Sequence, residues 1–122
     1  MKKESNIILE KSLAFALRVL ELYKYLKSKN EYELSKQLVR SGTSIGANVN
    51  EATAAHSKRD FINKMVIASK EARETKYWLI LLDLSQLVEY EYKTYLNDAD
   101  ELVRILTAIV KSSQSGNSDI QN

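Results

Sequence analysis

The sequence predicts an all-α protein, an antiparallel up-down-up-down bundle of four helices. Three observations point to it. The 122 residues contain no proline and only three glycines, so the two residues that most disfavour helix interiors are nearly absent. Apolar residues recur at steps of three and four through four separate segments, the spacing of one helix face. Short polar stretches join the segments, and short connections make consecutive helices antiparallel neighbours.

The first helix is predicted from about Asn6 or Ser12 to about Lys27. Leu13, Ala16, Leu17, Leu20 and Tyr23 form its expected core face, with Lys11, Arg18, Glu21, Lys24 and Lys27 mostly off it. Ser28-Lys29-Asn30-Glu31 breaks the pattern and reads as a turn. The second helix is predicted over about Glu33 to Ala54, on the repeat Leu34, Leu38, Gly42, Ile45, Val49, Ala52. Its middle is rich in glycine, serine and threonine, and each glycine costs about 1 kcal/mol against alanine in a helix. Either the helix breaks there, or Gly42 and Gly46 admit another backbone at close range, as small residues four apart do elsewhere. The repeat runs through without a phase slip, which favours the unbroken helix.

The third helix is the organising element. Phe61, Met65, Ala68, Ala72, Thr75, Leu79 and Leu82 make a seven-residue repeat, the seam of a helix packed along others at a shallow angle. Ser57-Lys58-Arg59-Asp60 opens it with a capping-box pattern in which Asp replaces Glu or Gln. Its end, from Tyr77 to Leu84, is apolar on more than one side, more than a small bundle covers. Trp78 and Ile80, with the close-approach positions Gly42 and Gly46, are therefore the expected contacts of a homo-oligomer. The alternative is a few exposed apolar residues, which folded proteins tolerate. A turn is expected near Ser85-Gln86 or around Glu89-Tyr90. The fourth helix then follows Tyr92, Leu96, Ala99, Val103, Leu106 and Val110, widened by Leu102 and Ile109. The bundle domain is expected over residues 1–112, and the polar segment 113–122 as a disordered tail.

Several function classes fall away on residue content. There is no cysteine, hence no disulfide or thiolate metal site. No apolar run approaches the ~18 residues of a membrane span, and the N-terminal apolar segment is too short for a signal peptide, so a cytoplasmic protein with no membrane contact is expected. His56 has no partner at a catalytic spacing. Glu71 and Glu74 lack the histidines of a di-iron bundle. Gly42-Thr43-Ser44-Ile45-Gly46 lacks the Gly-Lys-Ser/Thr ending and the preceding strand of a phosphate loop. No catalytic residue, metal or cofactor is expected.

Two polar sets remain. Asn48, Glu51, Glu71 and Glu74 flank apolar seam positions and are expected to hydrogen-bond, among themselves or across a subunit boundary, because buried polar groups need partners. Charge is unevenly placed: residues 1–80 carry 15 basic and nine acidic side chains, residues 81–122 three basic and seven acidic. Arg40, Lys58, Arg59, Lys64, Lys70, Arg73 and Lys76 are the candidate phosphate contacts, with Tyr77 and Trp78 available for stacking if exposed. The competing reading pairs these cations with Asp60, Glu71 and Glu74 along the same helix.

The segments LVRSGTSIGANVNEA (Leu38–Ala52) and SKRDFINKMVIASKEARETKYWLILL (Ser57–Leu82), together with the fourth helix, resemble the bacterial four-helix bundle family of 23S rRNA intervening sequences. That family is in turn similar to the accessory variability proteins of diversity-generating retroelements. The resemblance covers nearly the whole chain apart from the tail. It implies an antiparallel bundle that assembles as a ring-like homopentamer without established catalytic residues. For the retroelement relatives it implies a basic pentamer that binds nucleic acid and a reverse transcriptase. The expected function is therefore non-enzymatic association with RNA or DNA. The rival is an oligomeric scaffold for a protein such as a reverse transcriptase.

Overall fold

A computed structural model describes the backbone of residues 2–121 and the side chains of residues 6–115. Four helices make up the molecule: α1 (Lys2–Ser28), α2 (Glu33–Thr53), α3 (Lys58–Ser85) and α4 (Lys93–Gln121). Each helix end is closed by local hydrogen bonds. After α1, Asn30 takes the left-handed conformation (φ 66°), and the Glu31 N–H returns to the Leu26 carbonyl at 3.0 Å. Asparagine tolerates that region better than most residues. The Glu31 carboxylate then accepts the N–H groups of Glu33, Leu34 and Ser35 at 3.1, 3.0 and 2.7 Å, satisfying three donors that helix geometry leaves open. Ser57 caps α3 by accepting the Asp60 N–H at 3.0 Å, as its sequence pattern predicts. Gln86, at φ 48°, ends α3, and its side-chain oxygen accepts the Tyr90 N–H at 3.1 Å to fold the 86–92 loop.

Pairs between helices give their directions. Val19 lies at Gly42 and Ser12 at Gly46; Arg40 pairs with Glu74 and Lys64 with Glu51; Lys76 pairs with Asp100; Lys11 pairs with Glu101 and Arg18 with Asp98. In each set one number rises as the other falls, so every neighbouring pair is antiparallel. The molecule is the up-down-up-down bundle predicted from sequence. The interior is filled by Met65, Ala68, Ala72, Leu79 and Leu82 of α3, by Leu38, Ile45, Val49 and Ala52 of α2, and by Tyr92, Ala99, Leu102, Leu106 and Ile109 of α4. Each fully buried large aliphatic or aromatic side chain contributes roughly 1.5–3 kcal/mol relative to exposure.

α2 runs unbroken through its glycines. A Cβ at Gly42 would stand 2.9 Å from Val19 Cγ1, and one at Gly46 3.4 Å from the Ser12 carbonyl oxygen. The two glycines therefore seat α2 on α1. Inside the bundle, Ser41 and Thr75 place their hydroxyl oxygens 2.8 Å apart, and the Thr75 hydroxyl lies 2.7 Å from the Glu71 carbonyl. That polar contact in an apolar interior fixes the register of α2 against α3.

Two faces differ from the sequence reading. On α1 the buried line is Ile8, Ser12, Phe15, Val19, Leu22 and Leu26, not the expected Leu13, Ala16, Leu17, Leu20 and Tyr23. Both lines have helical spacing, so periodicity alone does not rank them. On α4 the buried line includes Tyr95, Leu102 and Ile109, while Leu96, Val103 and Val110 flank it half-buried. The helical backbone of α4 passes through the segment 113–122 expected as a tail; Ser113 is buried, and the side chains from residue 116 on lie outside the described residues.

Candidate nucleic-acid interface

The core line of α3 aims its other residues. With Ala68, Ala72 and Thr75 turned inward, residues Arg59, Val66, Lys70, Arg73 and Tyr77, spaced seven, four, three and four apart, share the outward side next to α4. Across from them, Leu106 and Ile109 of α4 turn inward and leave Thr107, Val110, Lys111 and Gln114 facing α3. Val66, Ser69, Lys70 and Arg73 of α3 and these four residues of α4 line one open groove. The Arg73 guanidinium donates to Thr107 Oγ1 at 3.3 Å across it. Arg104, seven residues before Lys111 and exposed, continues the basic line along the outer side of α4.

The seven sequence candidates divide into two groups. Arg40, Lys64 and Lys76 have carboxylate partners. Arg40 bridges Glu71 at 3.5 Å and also pairs with Glu74; Lys64 meets Glu51 at 3.0 Å, and Lys76 meets Asp100 at 2.6 Å. The hydrogen bond and charge of Glu51 raise the pKa of Lys64. Lys58, Arg59, Lys70 and Arg73 have no carboxylate partner among the described residues, and neither do Arg104 and Lys111. The last two were missed from sequence because they sit in the net-acidic C-terminal part. Their i, i+7 spacing around Thr107, opposite the core line, was the available signal. The structure gathers Lys70, Arg73 and Lys111 at the groove; Arg59 lies further along α3, and Lys58 is at the helix start.

The polar set also divides. Glu71 and Glu74 meet on Arg40, and Glu74 additionally accepts from Trp78 Nε1 at 3.0 Å. Asn48 instead donates to the Ser44 carbonyl of its own helix at 2.8 Å, and Glu51 pairs with Lys64. Trp78 and Ile80 are half-buried, while Tyr77 remains 54% exposed and meets the Trp78 ring edge-on at 5.3 Å. Gly42 is buried beneath Val19. Gly46 lines a shallow groove with Leu9, Leu13, Ala16, Thr43, Ala47 and Asn50.

That groove adjoins the one long apolar line α1 leaves uncovered. Leu13, Leu17 and Leu20 are 61%, 57% and 41% exposed, on the same outer side of α1. Among the described residues no helix is long and apolar enough to cross a membrane, and no group of three or more His, Cys, Asp or Glu side chains is placed to hold a metal ion.

The geometry is that of a small antiparallel helical bundle with a basic groove on one side and an apolar strip on another. The model of the 23S rRNA-intervening sequence protein family matches residues 4–108, and the chain belongs to that family. A crystal structure from Bacteroides thetaiotaomicron, of a protein of unknown function from the S23 ribosomal protein family, is similar at 48% identity. The match has a TM-score of 0.84 and covers 88% of this chain and 98% of that one. No curated protein matches the chain.

Proposed function

We propose that this protein is a non-enzymatic, cytoplasmic homo-oligomer that associates with RNA or other nucleic acid through the groove between α3 and α4. One observation carries the reading: Lys70, Arg73 and Lys111 converge on a single groove without a carboxylate partner among the described residues. An unpaired surface cation keeps its charge available to release counterions from a phosphate backbone, whereas a paired one must first lose its carboxylate. The working interface is thus narrower than the sequence candidates and crosses onto α4. Arg40, Lys64 and Lys76 belong to ion pairs that hold helices together.

Oligomerisation, pentameric by the family resemblance, finds its support on α1. Leu13, Leu17 and Leu20 with the groove floor at Gly46 and Ala47 form an apolar strip that water covers in the single chain. Copies gathered on that strip would repeat the basic groove around a ring and multiply its field. A salt titration of binding to RNA tests the function. Affinity that falls linearly in log–log form as salt rises is expected; no binding at low ionic strength, or binding without a salt slope, overturns it.

A further inference from the structure

We infer that the α3–α4 groove takes an unpaired polynucleotide strand in preference to a duplex. This rests on the nucleic-acid reading above and adds to it the form of the ligand. The groove is mixed in character. Its cations stand at Lys70, Arg73 and Lys111, its hydrogen-bonding groups at Ser69, Thr107 and Gln114, and its apolar patches at Val66 and Val110. The α3 line then ends, one turn past Arg73, on the exposed ring of Tyr77. From Arg59 to Tyr77 the line extends about 27 Å at 1.5 Å per residue.

A duplex presents phosphates outward and keeps its base faces stacked inside, so an apolar floor and an exposed ring gain little from it. Reading a duplex groove also calls for an element that enters it, and here two helices lie side by side with a shallow groove between them. An unpaired strand offers both surfaces at once. Its phosphates meet the cations, and a base face is free to lie on Tyr77 and along Val66 and Val110. Trp78 is the single tryptophan, and its ring is 5.3 Å from that of Tyr77. A base stacked on Tyr77 therefore perturbs an optical probe already in place.

The test is equilibrium binding of the full chain to four labelled 20-nucleotide probes at one salt concentration: an RNA strand, a DNA strand, and the duplex of each. Tryptophan emission is followed in parallel. The strand is expected to bind at least tenfold tighter than its own duplex and to quench Trp78. Which sugar binds more tightly identifies the source of the strand. Tyr77→Ala is expected to weaken strand binding about fivefold or more with duplex binding unchanged, and Tyr77→Phe to restore it; stacking on an aromatic ring supports a change of that size. The Lys70→Ala/Arg73→Ala pair weakens all four. Thermal unfolding of each variant separates a lost ring from a lost fold. Duplex bound as tightly as strand, or Tyr77→Ala binding the strand like the parent, overturns the single-strand assignment while the basic groove stands. Absence of binding to every probe at low salt overturns the nucleic-acid reading itself.

Discussion

Gly42 and Gly46 are one helical turn apart in α2, yet they do different things. A methyl at Gly42 would meet both γ-carbons of Val19 at 2.9 and 3.0 Å. Val19 is fully buried and β-branched, so it has few rotamers with which to yield. Gly42→Ala is expected to lower stability by about 1–2 kcal/mol despite its gain in helix propensity. At Gly46 the nearest atoms stand at 3.4–3.5 Å, ordinary contact. Gly46→Ala is expected to be neutral or to stabilise by up to about 1 kcal/mol. Urea unfolding midpoints of the two variants give the comparison directly. Tyr92 supplies a second test at this scale. Its ring is fully buried and its hydroxyl donates to the Val88 carbonyl at 2.8 Å. Burial, with smaller contributions from nearby tyrosines and acids, pushes its pKa up to about 12. A phenol whose folded-state pKa is raised keeps its proton where the unfolded chain, near pH 10, has lost it. Stability from this group is therefore complete below pH 10 and is lost as pH rises toward 12. Tyr92→Phe is expected to flatten that alkaline loss in a plot of unfolding free energy against pH. At neutral pH it should cost about 1 kcal/mol, because the Val88 carbonyl loses its partner.

At the scale of the element, α1 holds two apolar lines and the bundle buries only one. The choice between them could not be made from spacing. Ile8, Phe15, Val19, Leu22 and Leu26 match the interior, where Phe15 and Val19 fit against α2 and its glycines. Leu13, Leu17 and Leu20 remain on the outside. Three leucines left exposed on one helix face are the apolar strip on which the proposed oligomer rests. Leu17→Lys is expected to leave helical content and urea midpoint nearly unchanged, since no core contact is lost, while shifting the mass in solution toward the single chain. Light scattering at micromolar concentration measures it; unchanged mass would place the subunit contact elsewhere. α3, by contrast, was legible in detail. Its cap at Ser57 and its seam from Met65 to Leu82 appear where the pattern puts them. One line of apolar residues there competes with no other until the end of the helix, where Tyr77 and Leu84 are left exposed.

For the whole molecule the decisive quantity is which charges are already answered. Counting by position along the chain puts the positive surface in the first 80 residues. Folding instead pairs Arg40, Lys64 and Lys76 with carboxylates of neighbouring helices and brings Lys111 of α4 to Lys70 and Arg73. Two triple variants separate these groups. Lys70→Ala/Arg73→Ala/Lys111→Ala is expected to reduce the salt slope of single-strand binding by about 2, at roughly 0.7 per phosphate contact. Arg40→Ala/Lys64→Ala/Lys76→Ala removes the same formal charge and is expected to leave the slope nearly intact, with stability lowered by about 1 kcal/mol or less per exposed pair. Equal loss of slope in both would mean that only net charge matters.

By itself the sequence determined the helices, their order, their turns and the seam of α3. These follow from backbone propensity and from apolar spacing within one segment, both of which are local. It also carried the motif blocks of the family. Tertiary structure decided which of two apolar lines on α1 is interior, which face of α4 meets α3, and which cations keep their charge free. Each of those depends on a side chain from another helix, whose distance along the chain says nothing of its distance in space until the four helices have packed.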